Sequence, residues 1–116
     1  MKVLRAILTC QAIYYLATGI WPLLHIASFM AVTGPKEDIW LVKMVGLLAA
    51  AIGLALMAGR NNILRQTVIL SIGAALAFIS IDLYYSITGV IYKIYLADAA
   101  IQTLLITGIL IFWLKK

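Results

Sequence analysis

The sequence predicts an all-α integral membrane protein with four transmembrane helices in two parallel-repeat hairpins and a short interfacial helix between helices 1 and 2. The prediction rests on composition, four long apolar segments and a repeated seven-residue motif. Of the 116 residues, 66% are hydrophobic and 11% are charged, whereas soluble domains are about half apolar and about a quarter charged. A chain this short has too much surface to hide so much apolar material in a core. With a mean hydropathy of +1.11, its expected surroundings are membrane lipid.

Four apolar segments are long enough to cross a bilayer, which takes roughly 20 mainly apolar residues per helix. The predicted spans are residues 3–21, 39–59, 67–89 and 94–114. The first stops before Pro22, and the second stops before Arg60. Helices are expected because a sheet this small could not close and satisfy its backbone in lipid. Residues 1–116 therefore form a single four-helix domain.

The basic residues predict the orientation. Six of the nine fall on one side of the predicted spans: Lys2, Arg5, Arg60, Arg65, Lys115 and Lys116. The other three are Lys36, Lys43 and Lys93. Because the more basic side of a membrane protein faces the cytoplasm, we expect a multi-pass inner-membrane protein with both termini cytoplasmic. The basic residues flank apolar segments and form no patch with aromatic residues, so the net charge of +5 does not predict nucleic-acid binding.

The connection between the first two spans is long and mostly apolar. It reads "IWPLLHIASFMAVTGPKED" over residues 20–38, whereas "VIYK" joins the last two spans. A short helix is predicted at about residues 23–32, before Gly34 and Pro35 turn the chain back. An interfacial helix and a re-entrant segment both fit, although a re-entrant segment must be buried in protein to satisfy its backbone. The segment is a candidate cover for the bundle or a simple connector.

A seven-residue motif occurs twice, as "IYYLATG" at residues 13–19 and "LYYSITG" at residues 83–89. Both copies end an outward-going span, and a returning span follows each, which is the pattern of two hairpins repeated in parallel. Tyrosine is also common at membrane interfaces, and glycine commonly closes helices. A duplication and these independent preferences therefore both explain the motif.

Polar residues within the predicted spans are the candidates for function, because ionisable groups are costly inside a membrane. The ligand or pocket candidates are Asp82, Asp98, Lys43, Tyr14, Tyr85, His25 and Gln102. The residues expected in the outer half of the bilayer are Asp82, Asp98, Lys43, Lys93, His25 and the two tyrosine pairs. Asp82 shares a helix face with the small residues Ser71 and Ala75, so this face should point into the bundle. The group predicts an outward-facing polar pocket. Alternatively, Asp82 and Lys43 pair and neutralise each other, while Asp98 is hydrated near the surface.

The second span also carries small residues at helical spacing, which allow close helix packing: Gly46, Ala50 and Gly53. Other chemistry is not indicated. Cys10 is the single cysteine and His25 the single histidine, so a disulfide, a dithiol pair and a multi-ligand metal site are not expected. Phosphate-binding loops and serine nucleophile elbows do not occur. No catalytic residue, metal or cofactor is predicted.

Three features carry a resemblance to a known group: Arg5 early in the first span, "YYLATGIWPLLH", and the glycine-spaced "VGLLAAAIGLALMAG". With these features the chain resembles the small bacterial four-helix membrane proteins of the DoxX-like group over most of its length. Many members have no assigned activity, so the resemblance implies a fold more than a function. Members that relay electrons through cysteine pairs offer no model, since Cys10 is alone. The small multidrug transporters are similar in size but carry a glutamate in the first span, which this chain lacks.

The first functional hypothesis is a non-enzymatic binding or accessory subunit, surrounded by membrane lipid and assembled with itself or with a larger membrane complex. The second is a small-solute or proton-coupled transporter that uses Asp82. The third is an enzyme acting on lipid or quinone, which requires Asp82, His25 and the tyrosines to converge within hydrogen-bond reach.

Overall fold

The computed structural model describes residues 2–35 and 37–115, so Lys36 and Lys116 of the orientation argument lie outside the described residues. Within these ranges the chain folds into five helices: α1 Lys2–Leu24, α2 Ile26–Thr33, α3 Ile39–Ala58, α4 Arg65–Ile87 and α5 Ile94–Lys115. Helices α1, α3, α4 and α5 are long and apolar enough to cross a membrane. The prediction of an all-helical chain with four such helices is confirmed.

Helix α1 continues through Pro22 to Leu24, beyond the predicted span end at residue 21. Proline removes one backbone donor but has a helix-compatible φ angle, so the residues after it can keep their helical bonds. The His25 N–H donates to the Trp21 carbonyl over 2.9 Å, which completes the last turn. The connection to α3 is therefore shorter than the sequence indicates.

Helix α2 is only eight residues long and is held by its two ends. At its start, His25 Nδ1 accepts from the Ser28 N–H over 3.1 Å, and the Trp21 indole donates to the Ser28 hydroxyl over 2.8 Å. These bonds satisfy end groups that a short helix leaves open. At its end, the Gly34 N–H donates to the Met30 carbonyl over 2.8 Å. Gly34 has φ +102°, a backbone conformation that favours glycine, so the chain turns sharply toward α3.

The closest helix packing is between α1 and α3, which run antiparallel. A Cβ atom added to Gly46 would lie 2.5 Å from the Gly19 carbonyl oxygen, and one added to Gly53 would lie 2.9 Å from the Ala12 carbonyl oxygen. One added to Gly19 would lie 2.8 Å from the Ala50 amide nitrogen. The two backbones therefore touch along the small residues of α3, because small side chains let helices approach closely.

An apolar cluster closes one end of the bundle, and we call it the basal core. It consists of Leu4, Leu8, Ala12, Leu56, Ile63, Val68 and Ile109. These residues come from the first half of α1, the end of α3, the α3–α4 turn, the start of α4 and the second half of α5. The bundle consists of two helix pairs, α1 with α3 and α4 with α5. Helix α1 also packs on α5, whereas α3 and α4 meet much less extensively, so the two pairs are joined mainly through α1.

The two copies of the repeated motif lie at the same end of the bundle but in unlike surroundings. Helices α1 and α4 run in the same direction, since the Gln11 side chain binds the Ser71 carbonyl and the Tyr15 ring stacks edge-on against Phe78. Tyr15 is 1% exposed, whereas its counterpart Tyr85 is 37% exposed. The two copies therefore differ in structural role: the second tyrosine is buried in the first copy and exposed in the second.

Candidate functional site

A cavity of about 1020 Å³ opens between the helix pairs at the end opposite the basal core. Helices α1, α3, α4 and α5 all contribute to its walls. Asp82 and Asp98 line it from the neighbouring helices α4 and α5. Helix α2 also lines the cavity, through Phe29, Val32 and Thr33. The short helix is therefore placed against the cavity, and its apolar residues form part of the cover.

The polar floor of the cavity is a hydrogen-bonded chain that joins α1 to α5. The Tyr14 hydroxyl donates to Asp98 Oδ1, and Gln102 Nε2 donates to Asp98 Oδ2 over 2.9 Å. The Tyr15 hydroxyl in turn donates to Gln102 Oε1. Both oxygens of Asp98 are thus held by donors, which fixes the carboxyl group in one orientation.

A second buried polar pair lies deeper, toward the basal core. Gln11 Nε2 donates to the Ser71 carbonyl over 3.0 Å, and the Ser71 hydroxyl donates to Gln11 Oε1. Both side chains are fully buried. This reciprocal pair joins α1 to α4, so the polar residues on α1 tie it to both helices of the other pair.

Asp82 differs from Asp98, because its carboxyl group is left without a full set of donors. The residue is 4% exposed, and among the described residues its Oδ2 atom has no hydrogen-bond partner. The Asp82 side chain also forms a hydrogen bond with the neighbouring Asp98 side chain and interacts with it electrostatically. A buried, unpaired carboxyl oxygen is energetically costly. Such a group calls for an explanation beyond packing.

The expected pairing of Asp82 with Lys43 is not found. Lys43 is exposed and does not line the cavity. The reason is the position of its helix: α3 packs on α1 through Gly46 and Gly53, and it faces α4 across the width of the cavity. The sequence pattern identified the small face of α3 but could not show that α4 lies beyond the cavity.

The structure brings together four of the seven candidate residues. Those that line the cavity are Tyr14, Asp82, Asp98 and Gln102. Lys43, Tyr85 and His25 do not. Tyr85 is on the outer side of α4, and His25 is exposed and caps α2. His25 is thus not part of the convergence that a lipid or quinone enzyme would require.

Several cavity residues were not among the sequence candidates, and two of them are acidic. Glu37 and Asp38 lie in the turn before α3 and line the cavity, so all four acidic residues of the chain border it. Tyr15 also lines the cavity and is not among the sequence candidates. The sequence does contain a signal for a polar face on each helix. Gln11 and Tyr15 are four residues apart on α1, as are Asp98 and Gln102 on α5, and residues four apart share a helix face.

The rest of the wall is aromatic and aliphatic. The Tyr15 and Phe78 rings meet edge to face at 5.6 Å between centroids, and the Trp21 and Phe29 rings do so at 5.2 Å. Edge-to-face contacts fix ring positions as well as burying area. The cavity therefore combines a rigid apolar wall with a polar floor.

The arrangement is suited to holding a small molecule. The described residues contain no group of three His, Cys, Asp or Glu side chains placed to hold a metal ion, and Cys10 is exposed, away from the cavity. The site offers a shaped apolar space, oriented hydroxyl and amide groups, and one carboxyl oxygen, Asp82 Oδ2, that has no partner among the described residues. No protein-family model matches the chain, and neither a curated protein nor a solved structure is significantly similar to it.

Proposed function

We propose that the protein is a non-enzymatic multi-pass membrane protein that binds a small molecule in this cavity, acting as a binding or accessory subunit. One observation carries the proposal: Asp82 lies buried in the wall of a cavity of about 1020 Å³, and its Oδ2 atom has no hydrogen-bond partner among the described residues. Ligand pockets typically measure about 300 to 1,000 Å³ and combine apolar walls with a few convergent polar groups. The volume and the lining both support binding.

The membrane setting is part of the proposal. Large apolar side chains cover the outside of the long helices, among them Trp40, Leu47, Ile69 and Leu104, and hydrocarbon is the solvent that suits such a surface. In the proposed orientation both termini are cytoplasmic, the cavity opens outward, and α2 lies at the interface over its mouth. The resemblance to the DoxX-like group and the two parallel hairpins support the same arrangement.

A cavity-filling substitution tests the binding function. Ala97 lines the cavity on α5, so Ala97→Phe places a ring in the ligand space, whereas Ala51→Phe on the exposed side of α3 is the matched control. We expect native mass spectrometry of gently released protein to show a small molecule bound to the wild type and to the control, and absent from Ala97→Phe. Equal retention by all three proteins would contradict a ligand in this cavity.

The same measurement tests the proposed assembly. Exposed apolar surface on every long helix can contact lipid, further copies of the chain or other subunits. We propose that copies or a larger membrane complex cover part of it. A chain that stays strictly monomeric both in mild detergent and in lipid nanodiscs would contradict this part of the proposal.

A small-solute or proton-coupled transporter is the second candidate, and Asp82 is the observation that favours it. An intramembrane carboxyl in a cavity is a feature of transport pathways. Transport predicts that Asp82→Asn abolishes substrate flux in proteoliposomes while the variant remains folded. Binding without any flux by the wild type would instead favour the binding subunit.

A further inference from the structure

We propose that the ligand of this cavity is a hydrophobic organic cation, of the substituted ammonium or phosphonium class. The inference rests on the proposed binding function and adds the chemical class of the ligand. Four features of the cavity support it: the charge of its lining, the Oδ2 atom of Asp82 that has no hydrogen-bond partner among the described residues, the aromatic wall, and two exposed acids at the opening.

The charge around the cavity is opposite to that of the whole chain. The chain carries a net charge of +5 with only four acidic residues, and all four border the cavity: Glu37, Asp38, Asp82 and Asp98. Among the described residues that line the cavity, there is no lysine, arginine or histidine. A cavity walled by one sign of charge concentrates ligands of the other sign.

The two deep carboxyl groups differ in how many hydrogen bonds their oxygen atoms accept. Asp98 receives donors from Tyr14 and Gln102 on its two oxygens, whereas Asp82 Oδ2 receives none among the described residues. Two neighbouring buried carboxyl groups with no basic partner among the described lining residues either share a proton or take up a cation as their counter-charge. A cation in the cavity supplies that charge to both and a contact to the free oxygen of Asp82.

The wall requires that this cation carry an apolar body. The cavity is far larger than a hydrated metal ion, and the described acids are not grouped for metal binding. Its aromatic lining residues include Tyr14, Tyr15, Trp21, Phe29, Tyr92 and Tyr95. Aromatic rings attract organic cations through their faces, and such rings are the usual partners of quaternary ammonium groups. The body of the ligand would pack on the rings while its charge reaches Asp82.

The mouth of the cavity also favours cations. Glu37 and Asp38 are exposed and line the cavity at the turn between α2 and α3. Exposed acids at an opening raise the local concentration of cations and speed their association. They interact with the ligand more weakly than Asp82 does, because solvent screens them.

The test uses two probes of matched shape and different charge. Methyltriphenylphosphonium is a cation, and triphenylphosphine oxide is its neutral analogue, in which an oxygen replaces the methyl group. Binding of each to the full chain in lipid nanodiscs is measured by equilibrium dialysis, with empty nanodiscs subtracted. We expect the wild type to bind the cation at least about tenfold more tightly than the neutral probe, as for a partly buried charge pair.

Variants assign this preference to the acids. Asp82→Asn should remove most of the preference for the cation, while Asp82→Glu should retain it. Glu37→Gln, an exposed substitution that does not touch the packing, should weaken cation binding by about two- to threefold. Unchanged binding of the neutral probe by Asp82→Asn shows that the cavity is intact.

The outcomes separate this inference from the proposed function. Equal binding of the two probes, blocked in both cases by Ala97→Phe, overturns the cation and leaves the binding cavity standing. A cation preference that persists in both Asp82→Asn and Glu37→Gln also overturns it. If neither probe binds the wild type, the inference fails, and the small molecule released with the native protein decides the binding function separately.

Discussion

The hydroxyl group of Tyr14 donates to Asp98 Oδ1 and so joins α1 to α5 at the floor of the cavity. Its counterpart in the repeated motif, Tyr84, is 63% exposed on α4. The two tyrosines share a sequence context but not a structural role. This difference supplies a matched pair of substitutions.

Tyr14→Phe should destabilise the protein by about 1 to 3 kcal/mol, because it leaves a carboxyl oxygen of Asp98 without its donor. Tyr84→Phe, the control, should change stability by less than about 0.5 kcal/mol, as exposed substitutions usually do. Reversible unfolding in mixed micelles measures both. Equal effects of the two substitutions would show that the Tyr14–Asp98 bond contributes nothing to stability.

Gly46→Ala should weaken the α1–α3 contact, because the added Cβ would lie 2.5 Å from the Gly19 carbonyl oxygen. Overpacking of this kind costs about 1 to 3 kcal/mol. Gly73→Ala on α4 is the control, since nothing lies within 4 Å of the added atom; it should be neutral or stabilising by up to about 1 kcal/mol. Relative to the wild type, the unfolding temperature should fall for Gly46→Ala and should stay the same or rise for Gly73→Ala. A tolerated Gly46→Ala would mean that the helices can separate without loss.

Gln11 and Ser71 should be energetically coupled, since each satisfies the other in a fully buried position. A double-mutant cycle of Gln11→Leu and Ser71→Ala isolates the part of that coupling carried by the Ser71 hydroxyl. We expect a coupling of about 0.6 kcal/mol and at most about 1.7 kcal/mol, the average and the maximum found for hydrogen bonds between membrane helices. Additive effects of the two substitutions would indicate that α1 and α4 are held by packing alone.

Asp82→Asn should stabilise the ligand-free protein while it removes cation binding. The wild-type carboxyl is buried with one oxygen lacking a partner, a state that costs about 1 to 3 kcal/mol, whereas an amide of the same shape is less costly to bury. Unfolding in the absence of added ligand tests the sign. A clear loss of stability would instead mean that Asp82 is a structural residue, held by partners in the folded protein.

The orientation can be tested by labelling single cysteines in intact cells, after Cys10→Ser removes the native thiol. Glu37→Cys lies in the exposed turn before α3, and Asn61→Cys lies in the exposed turn at the other end of the bundle. A membrane-impermeant maleimide should label position 37 in intact cells and position 61 only after permeabilisation. The reverse pattern would place both termini outside.

The four long helices and the identity of the deep acids were predictable, because both depend on patterns within single segments. The Asp82 face of α4 follows from helical periodicity, and the shared end for Asp82 and Asp98 follows from the short connection between α4 and α5. The position of a helix and the residues on one of its faces can be predicted from sequence when the apolar segment is long.

The partners of these residues were not predictable, because they depend on how the helix pairs meet. Periodicity places Lys43 near the small face of α3 but does not show that a cavity separates α3 from α4. It also cannot show that Tyr15 is buried and Tyr85 exposed, since the two occupy matching positions in the motif. The contribution of Glu37 and Asp38 depends on a turn that Gly34 sets through its backbone angle.

The location of the basal core at one end of the bundle has a consequence for how this protein can change over evolution. The residues that form it are distinct from those that border the cavity. Substitutions at cavity positions such as Ala97 therefore leave that core intact, whereas Tyr14 and Gly46 line the cavity and also hold helices together. The division resembles that of a scaffold and a variable recognition surface, here built into the two ends of the same four helices.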